Sequence, residues 1–291
     1  LPPAMMFRVI KNIYISRVPT PTKMLVCLQQ SSHHHHRHPQ QLSFSTHQTQ
    51  FNDSRILFKK IDGMKKKHNV RGVLTLYNSH ATTLNAIHLE NIYGALARSV
   101  QGADKVATLQ NEVIFQKLLT NTIDKLQSNP NFFDVRAIAS IAYSLGKLNI
   151  PDERFFNEVV KLRHRLAREA DPQHLSNVAL AFATVGRPSE ELFAAVAGQQ
   201  ERIIGSGNVQ AMSNICLAFA KTGYKADALF TAVAGQHDRI VGSGKVPNLS
   251  NTCWAFVTAG HKADALFTAV AAEHDVIVRS GNPQEVSERT L

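Results

Sequence analysis

Acidic residues are missing from the first 52 positions of this 291-residue chain, while Arg8, Lys11, Arg17, Lys23 and Arg37 lie among them. The stretch opens with the apolar-basic run Met5-Met6-Phe7-Arg8-Val9-Ile10-Lys11 and is rich in hydroxyl residues. That balance speaks against a secretory signal with its single apolar block and for an organelle transit peptide. Residues 1–52 are therefore expected to be a disordered transit peptide, with a cleavage region at Leu42-Ser43-Phe44-Ser45-Thr46. The expected destination is the mitochondrion, with the plastid as the alternative. Cysteine is scarce: three residues cannot make a disulfide framework. No stretch approaches the ~18 to 20 apolar residues of a membrane span, so a soluble chain with no membrane partner is expected. No acid, base, nucleophile and metal-ligand set assembles anywhere, so neither an enzyme nor a cofactor or metal is expected.

The net charge of +10 is unevenly placed. Residues 1–85 carry 12 Lys and Arg against Asp53 and Asp62, whereas residues 86–291 carry 20 bases and 20 acids. The excess thus belongs to the N-terminal segment, including Lys59, Lys60, Lys65, Lys66, Lys67 and Arg71 in a stretch (53–85) read as a basic linker. Overall basicity is consequently weak support for phosphate binding by the rest of the chain.

What is present is repetition. Leu175 to Ala183, Met212 to Ala220 and Leu249 to Val257 are versions of one phrase, each 37 residues after the last, and Ile138 to Tyr143 extends the register upstream. Each phrase is followed by Asn149, Gly186, Gly223 or Gly260 and then by an apolar stretch anchored on Phe156, Phe193, Phe230 or Phe267. A fixed period of this size marks a solenoid of stacked units. Leu175, Val178, Ala179 and Phe182 recur at helical spacing, as do Leu192, Phe193 and Val196 in the second half, so each unit reads as a hairpin of two amphipathic helices. The expected architecture is an all-α solenoid, with a divergent first repeat at 86–133, four regular repeats at 134–282, and a truncated further repeat beginning at 283–291. In the divergent unit, eight extra residues fall between the two halves.

Phasing residues against this period removes several apparent sites. Gly242-Ser243-Gly244-Lys245 resembles the end of a phosphate loop, but Val246 follows where Ser or Thr is required, and the same junction recurs at Gly205 to Asn208. Its glycines are expected to terminate helices. His237-Asp238 and His274-Asp275 share a phase with no nucleophile beside them, and a solvated helix face accounts for them. Cys216 and Cys253 fall in phase with Ala142 and Ala179, which marks a small buried position. The tract His33-His34-His35-His36-Arg37-His38 lacks the fixed geometry of a metal site.

The polar position that survives is Asn91, Asn177, Asn214 and Asn251, with Ser140 in the same phase. Two readings stay open: an internal ladder satisfying polar groups between units, or a base reader, since an amide offers donor and acceptor together. Variable neighbours on the same surface, namely Arg136, Gln173, His174, Gln210 and Asn248, are candidates for sequence readout. Lys65, Lys66 and Lys67 are candidates for salt-dependent phosphate contacts.

The run Leu-Ser-Asn-x-x-Trp-Ala-Phe-x-x-Ala-Gly at Leu249 to Gly260, followed by Ala-Leu-Phe-x-Ala-Val-Ala at Ala265 to Ala271, resembles heptatricopeptide-repeat proteins. These are related to octotricopeptide-repeat proteins and to the helical regions of FAST-kinase-domain and RAP-domain proteins. The resemblance implies a non-catalytic protein that binds single-stranded organellar RNA, a transcript or ribosomal RNA, in processing, stability or translation. It also implies a monomer within a complex, with ribosomal or other ribonucleoprotein proteins as further partners. The alternative it leaves is an interaction scaffold or structural subunit of an organellar ribosome. No RAP domain follows the repeats in this sequence, so no nuclease-like activity carries over.

Overall fold

A computed structural model describes residues 46–272, with side chains from Ser54 onward. Most of the expected transit peptide, the histidine tract and the segment 283–291 lie outside the described residues. Among the described residues there are sixteen α-helices and no strand, so the chain is all-α. They divide into two compact units between Ile150 and Pro151, within the span expected to hold the regular repeats.

The first unit contains α1 (Thr46–Lys66), α2 (Val70–His80), α3 (Ala86–Ser99), α4 (Ala103–Asn111), α5 (Val113–Ser128) and α6 (Val135–Lys147). Residues 53–85 are therefore not a linker. Leu57 and Ile61 on α1 and Val73, Leu74, Leu76 and Tyr77 on α2 are buried at helical spacing, while Lys59, Lys60, Lys66 and Lys67 stay exposed. The lysine-rich outer face conceals an amphipathic pattern, because long cationic side chains sit comfortably on a solvated helix surface. The helix α4 occupies the stretch that carries the eight extra residues.

At the start of α3, the Asn85 side chain accepts from the His88 backbone, and the Asn85 N–H donates to His88 Nδ1 at 3.3 Å. The opposite nitrogen, Nε2, lies 2.8 Å from the Ser54 carbonyl, so a neutral ring with its proton on Nε2 satisfies both partners and ties α3 to α1. Farther along, Tyr93 donates to Thr122 Oγ1 at 3.1 Å inside the core. The helices α1 and α3 pack side by side, as do α3 and α6.

The second unit runs through α7 (Glu153–Lys161), α8 (Arg163–Glu169), α9 (Pro172–Thr184), α10 (Glu190–Ala197), α11 (Gln200–Ser206), α12 (Val209–Thr222), α13 (Asp227–Ala234), α14 (His237–Ser243), α15 (Val246–Ala259) and α16 (Asp264–Ala272). The three long helices α9, α12 and α15 pack as neighbours, and between them the chain makes pairs of short ones. The two-helix hairpin expected from the sequence is thus corrected to one long helix and two short ones. At the break, Gly198 donates to Ala194 O, Gln199 donates back only three residues to Val196 O, and Ile203 resumes on Gln199 O. The same tightened turn occurs at Gly235 and Gln236.

The ends of the long helices follow from backbone chemistry. Asn149, Gly186, Gly223 and Gly260, picked out in the sequence as the residues after each phrase, have φ of 51°, 69°, 69° and 68°. Glycine adopts this left-handed turn freely, and Asn is among the few other residues that tolerate it. At the opposite ends, Asp134, Asp171 and Asn208 cap α6, α9 and α12 by accepting from the third residue of each helix.

Aromatic pairs join the short helices to the long ones that follow. Phe156 meets Phe182 at 4.8 Å, Phe193 meets Phe219 at 4.9 Å, and Phe230 meets Phe256 at 5.0 Å between ring centroids. All six rings are fully buried, each contributing roughly 1.5–3 kcal/mol by transfer from water. Tyr224 then closes edge-on over Phe219, and His261 stacks on Phe230. Between adjacent long helices the contact positions are small: Ala179, Cys216 and Cys253 are buried, as the phase of the cysteines implied, and both thiols are free.

A second inter-helix device was not legible in the hydrophobic pattern. Arg202 on α11 donates to the Arg168 carbonyl at 2.8 Å and to the Ala167 carbonyl, at the end of α8. Arg239 on α14 does the same for Ile204, at 2.8 Å, and Gly207 at the end of α11. Each guanidinium satisfies orphan carbonyls at a helix C-terminus, where the helix dipole also favours positive charge. The recurrence of Arg at 165, 202 and 239 was the available signal.

Candidate nucleic-acid interface

In the second unit the candidate residues gather on α9, α12 and α15. Gln173, His174 and Asn177 lie on α9, Gln210 and Asn214 on α12, and Asn248 and Asn251 on α15. All are partly buried except Asn214, which is 0% exposed. Gln173 donates to Asn177 Oδ1 at 3.2 Å and accepts from Asn208 Nδ2 at 3.3 Å, linking the first turns of α9 and α12. Ser213 donates to the Asn248 carbonyl at 2.9 Å, which links α12 to α15. His174 Nδ1 lies 2.9 Å from Asp171, the residue that caps its own helix.

The repeated Asn does not form a uniform ladder. Among the described residues no Asn-to-Asn bond runs down the column: Asn91 donates to Ile87 O within its own helix at 2.7 Å, and Asn177 accepts from Gln173. Asn214 is a correction among the candidates, because it is fully buried and neither amide atom meets a protein partner. An amide enclosed in this way costs about 1–3 kcal/mol and cannot reach a base edge in this arrangement. The cross-helix bonds that a ladder would have supplied come from Gln173, Asn208 and Ser213 instead.

In the first unit, Arg136 and Ser140 lie on α6 and Lys65 and Lys66 on α1, with Lys67 immediately after it. Arg136 is engaged: its guanidinium pairs with Glu90 on α3 at 2.9 Å. Ser140 is partly buried. Lys66 and Lys67 are exposed, and Lys66 pairs with Asp62 at 2.8 Å in a solvated contact of little energetic weight. Lys65 differs from its neighbours. Its side chain is partly buried against α3, and burial together with the Arg98 charge lowers its pKa.

The residues that only resembled catalytic or phosphate sites resolve into helix ends and surface. Gly244 donates its N–H to Ile240 O at 2.9 Å, and Ser243 donates to Arg239 O at 2.7 Å, so these groups are committed to α14. Lys245 holds the position that Asp134, Asp171 and Asn208 hold elsewhere, yet offers no side-chain acceptor to α15. Lys245→Asn is therefore expected to raise stability by about 1 kcal/mol, read as a higher urea midpoint at unchanged m-value. His237 and Asp238 approach to 3.5 Å, with Asp238 in open solvent. Among the described residues no group of three or more His, Cys, Asp or Glu could hold a metal ion, and no helix is long and apolar enough to cross a membrane.

In comparisons with known proteins, no protein-family model matches the chain, and no curated protein matches it.

Proposed function

We propose that the chain is an α-solenoid of 37-residue units that binds single-stranded organellar RNA across its long-helix faces and catalyses no reaction. The observation that carries this is the set Gln173, His174, Asn177, Gln210, Asn248 and Asn251, partly buried on three helices packed side by side. Amides donate and accept at once, and one or two such groups per helical unit is how repeat proteins address successive bases of a single strand. Long helices that start at Pro172, Val209 and Val246, each 37 residues after the last, support the unit size. The resemblance to heptatricopeptide-repeat proteins supports a role in processing, stability or translation. The acid-free first 52 residues support the organellar location.

A second reading, an interaction scaffold or ribosome-associated structural subunit, draws support from charge pairing. Arg136, Arg163 and Arg165 lie at 2.9, 3.7 and 3.1 Å from Glu90, Glu191 and Glu169, which leaves less positive charge for phosphate. Ultraviolet crosslinking of the full chain in cells, with sequencing of the recovered RNA, separates the two. The expected result is organelle-encoded RNA with a sequence preference that N177A/N251A alters and N214A leaves unchanged. Loss of each direct amide contact should weaken binding by about 1–3 kcal/mol. Recovery of no RNA would favour the scaffold, and recovery of cytosolic RNA alone would remove the organellar role.

A further inference from the structure

We propose that the cleft between α1 and α2, on the first unit, docks a short stretch of the single-stranded RNA, with backbone phosphates on Lys60 and Arg71 and a base on Met64 and Leu76. The two helices pack on each other around the turn at 67–69, where His68 takes a left-handed φ of 52°. Between them lies a cleft of about 630 Å³. Lys60 and Met64, one turn apart, line it from α1, and Arg71, Leu76 and His80 line it from α2. From Arg71 to His80 the lining runs about 13 Å along the helix. Leu76 is buried and Met64 partly buried, whereas Lys60 and Arg71 are exposed, so cations stand at the rim of an apolar floor.

Exposed cations alone make no site, since long basic side chains commonly cover a solvated helix face. Here the charge is unopposed and borders apolar surface. The helix α2 carries no acid, no carboxylate lines the cleft, and Asp62 on α1 pairs with Lys66 at 2.8 Å. Among the described residues neither the Lys60 ammonium nor the Arg71 guanidinium has a hydrogen-bond or ion-pair partner. Gly72 adds a donor to the lining. A Cβ there would stand 2.6 Å from Asn69 Nδ2, so glycine lets that amide lie against the cleft while Asn69 Oδ1 accepts from the Gly72 N–H at 2.8 Å. A phosphodiester strand carries anions and flat bases on one chain, which matches a cationic rim over an apolar floor. A second cleft, of about 760 Å³ between α2 and α5, lacks that match. Asp124 lines it, and the Tyr77 hydroxyl is committed, donating to the Lys117 carbonyl at 3.2 Å and accepting from Asn121 at 3.1 Å.

The cleft rests on the RNA reading for its ligand. Its test is the affinity of the full chain for a labelled single-stranded RNA across a potassium chloride series, compared with K60Q/R71Q, M64Q and the charge-matched control K105Q/K117Q. Lys105 and Lys117 are also exposed but lie outside this cleft. Folding is checked by circular dichroism, and K60Q/R71Q is expected to melt with the parent because both side chains are exposed. Its slope of log affinity against log salt should fall by about 1.4, or ~0.7 for each lost contact. The control should keep the parent slope, and M64Q should weaken binding at every salt concentration without altering it. If K60Q/R71Q does not fold, R71Q alone carries the test, with a slope smaller by about 0.7.

An unchanged slope in folded K60Q/R71Q overturns the cleft while leaving the RNA reading intact. An equal fall in K105Q/K117Q does the same, because it shows that any surface cation contributes. An M64Q affinity equal to the parent's overturns the placement of the base. If the unsubstituted chain binds no RNA, both the cleft and the RNA reading fall. Binding of a labelled polyglutamate peptide in place of RNA, lost in K60Q/R71Q, would give the cleft to an acidic protein partner.

Discussion

Phe219→Ala is expected to destabilise the protein by about 3–5 kcal/mol, the range for deleting a fully enclosed aromatic ring. Phe219 is 0% exposed on α12, between Phe193 at 4.9 Å and Tyr224 at 5.4 Å. Truncation therefore removes one transfer term and two ring contacts at once. Collapse of neighbouring atoms into the space is restrained on two sides, because α9 and α15 both pack on the helix that carries the ring. Urea unfolding followed by circular dichroism measures the loss. Phe219→Leu should recover much of it, and equal costs for Ala and Leu would show that ring contacts, not volume, dominate.

Raising the pH above 9 is expected to cost stability through two enclosed thiols. Burial pushes Cys253 up to about 12 and Cys216 higher still, from an ordinary value of 9.0. These are acids whose folded pKa is raised, so the unfolded chain releases its protons first and binds fewer of them above pH 9. Stability is then complete below pH 9 and falls as pH rises toward the folded values. The loss approaches 1.4 kcal/mol per pH unit for each thiol, which makes it ~3 kcal/mol for both by pH 10. Burial also raises Tyr143, in the same direction, whereas Lys65 and Lys147, whose values are lowered, contribute stability as pH approaches 10.5.

Comparison with C216A/C253A isolates the thiols, because every other group titrates in both proteins. Alanine is the residue of choice, since Ala142 and Ala179 hold the same phase. The stability gap between the two proteins, read by urea unfolding, should shift by about 3 kcal/mol between pH 8 and pH 10 in favour of the variant. Parallel pH curves would show that the thiols are reached by solvent in the native state.

Helix type, and the places where long helices turn, could be read from residue chemistry alone. Asn149, Gly186, Gly223 and Gly260 were visible as punctuation because left-handed backbone admits few residues, and all four adopt it. The cysteines were legible for a similar reason: a position that alternates between Ala and Cys is small wherever it falls. Local signals of this kind survive translation into structure because the constraint lies within one turn of chain.

What was not legible depends on neighbours. Asn214 shares its sequence phase with Asn177 and Asn251, yet it alone is fully enclosed, because burial depends on how closely the flanking helices approach. The phase names a position on a helix, not the distance to the next one. Lys65 illustrates the reverse case, where a run of lysines drew attention to solvent although one member is partly buried against another helix. The breaks at Gly198 and Gly235 leave no mark in the hydrophobic pattern because apolar spacing continues across them: Val196 and Ile203 are both buried although a tight turn separates their helices. Arg202 and Arg239 bind backbone carbonyls of another helix, and such partners leave no mark in a side-chain pattern.

The central claim is that RNA lies on the long helices. It is tested most directly by crosslinking labelled single-stranded RNA to the purified full chain and identifying the modified peptides by mass spectrometry. Crosslinks at residues 173–177 on α9, 210 on α12 and 248–251 on α15 are the expected result. Crosslinks confined to the short helices α10, α11, α13 and α14, or none above those of a protein that binds no RNA, would contradict it.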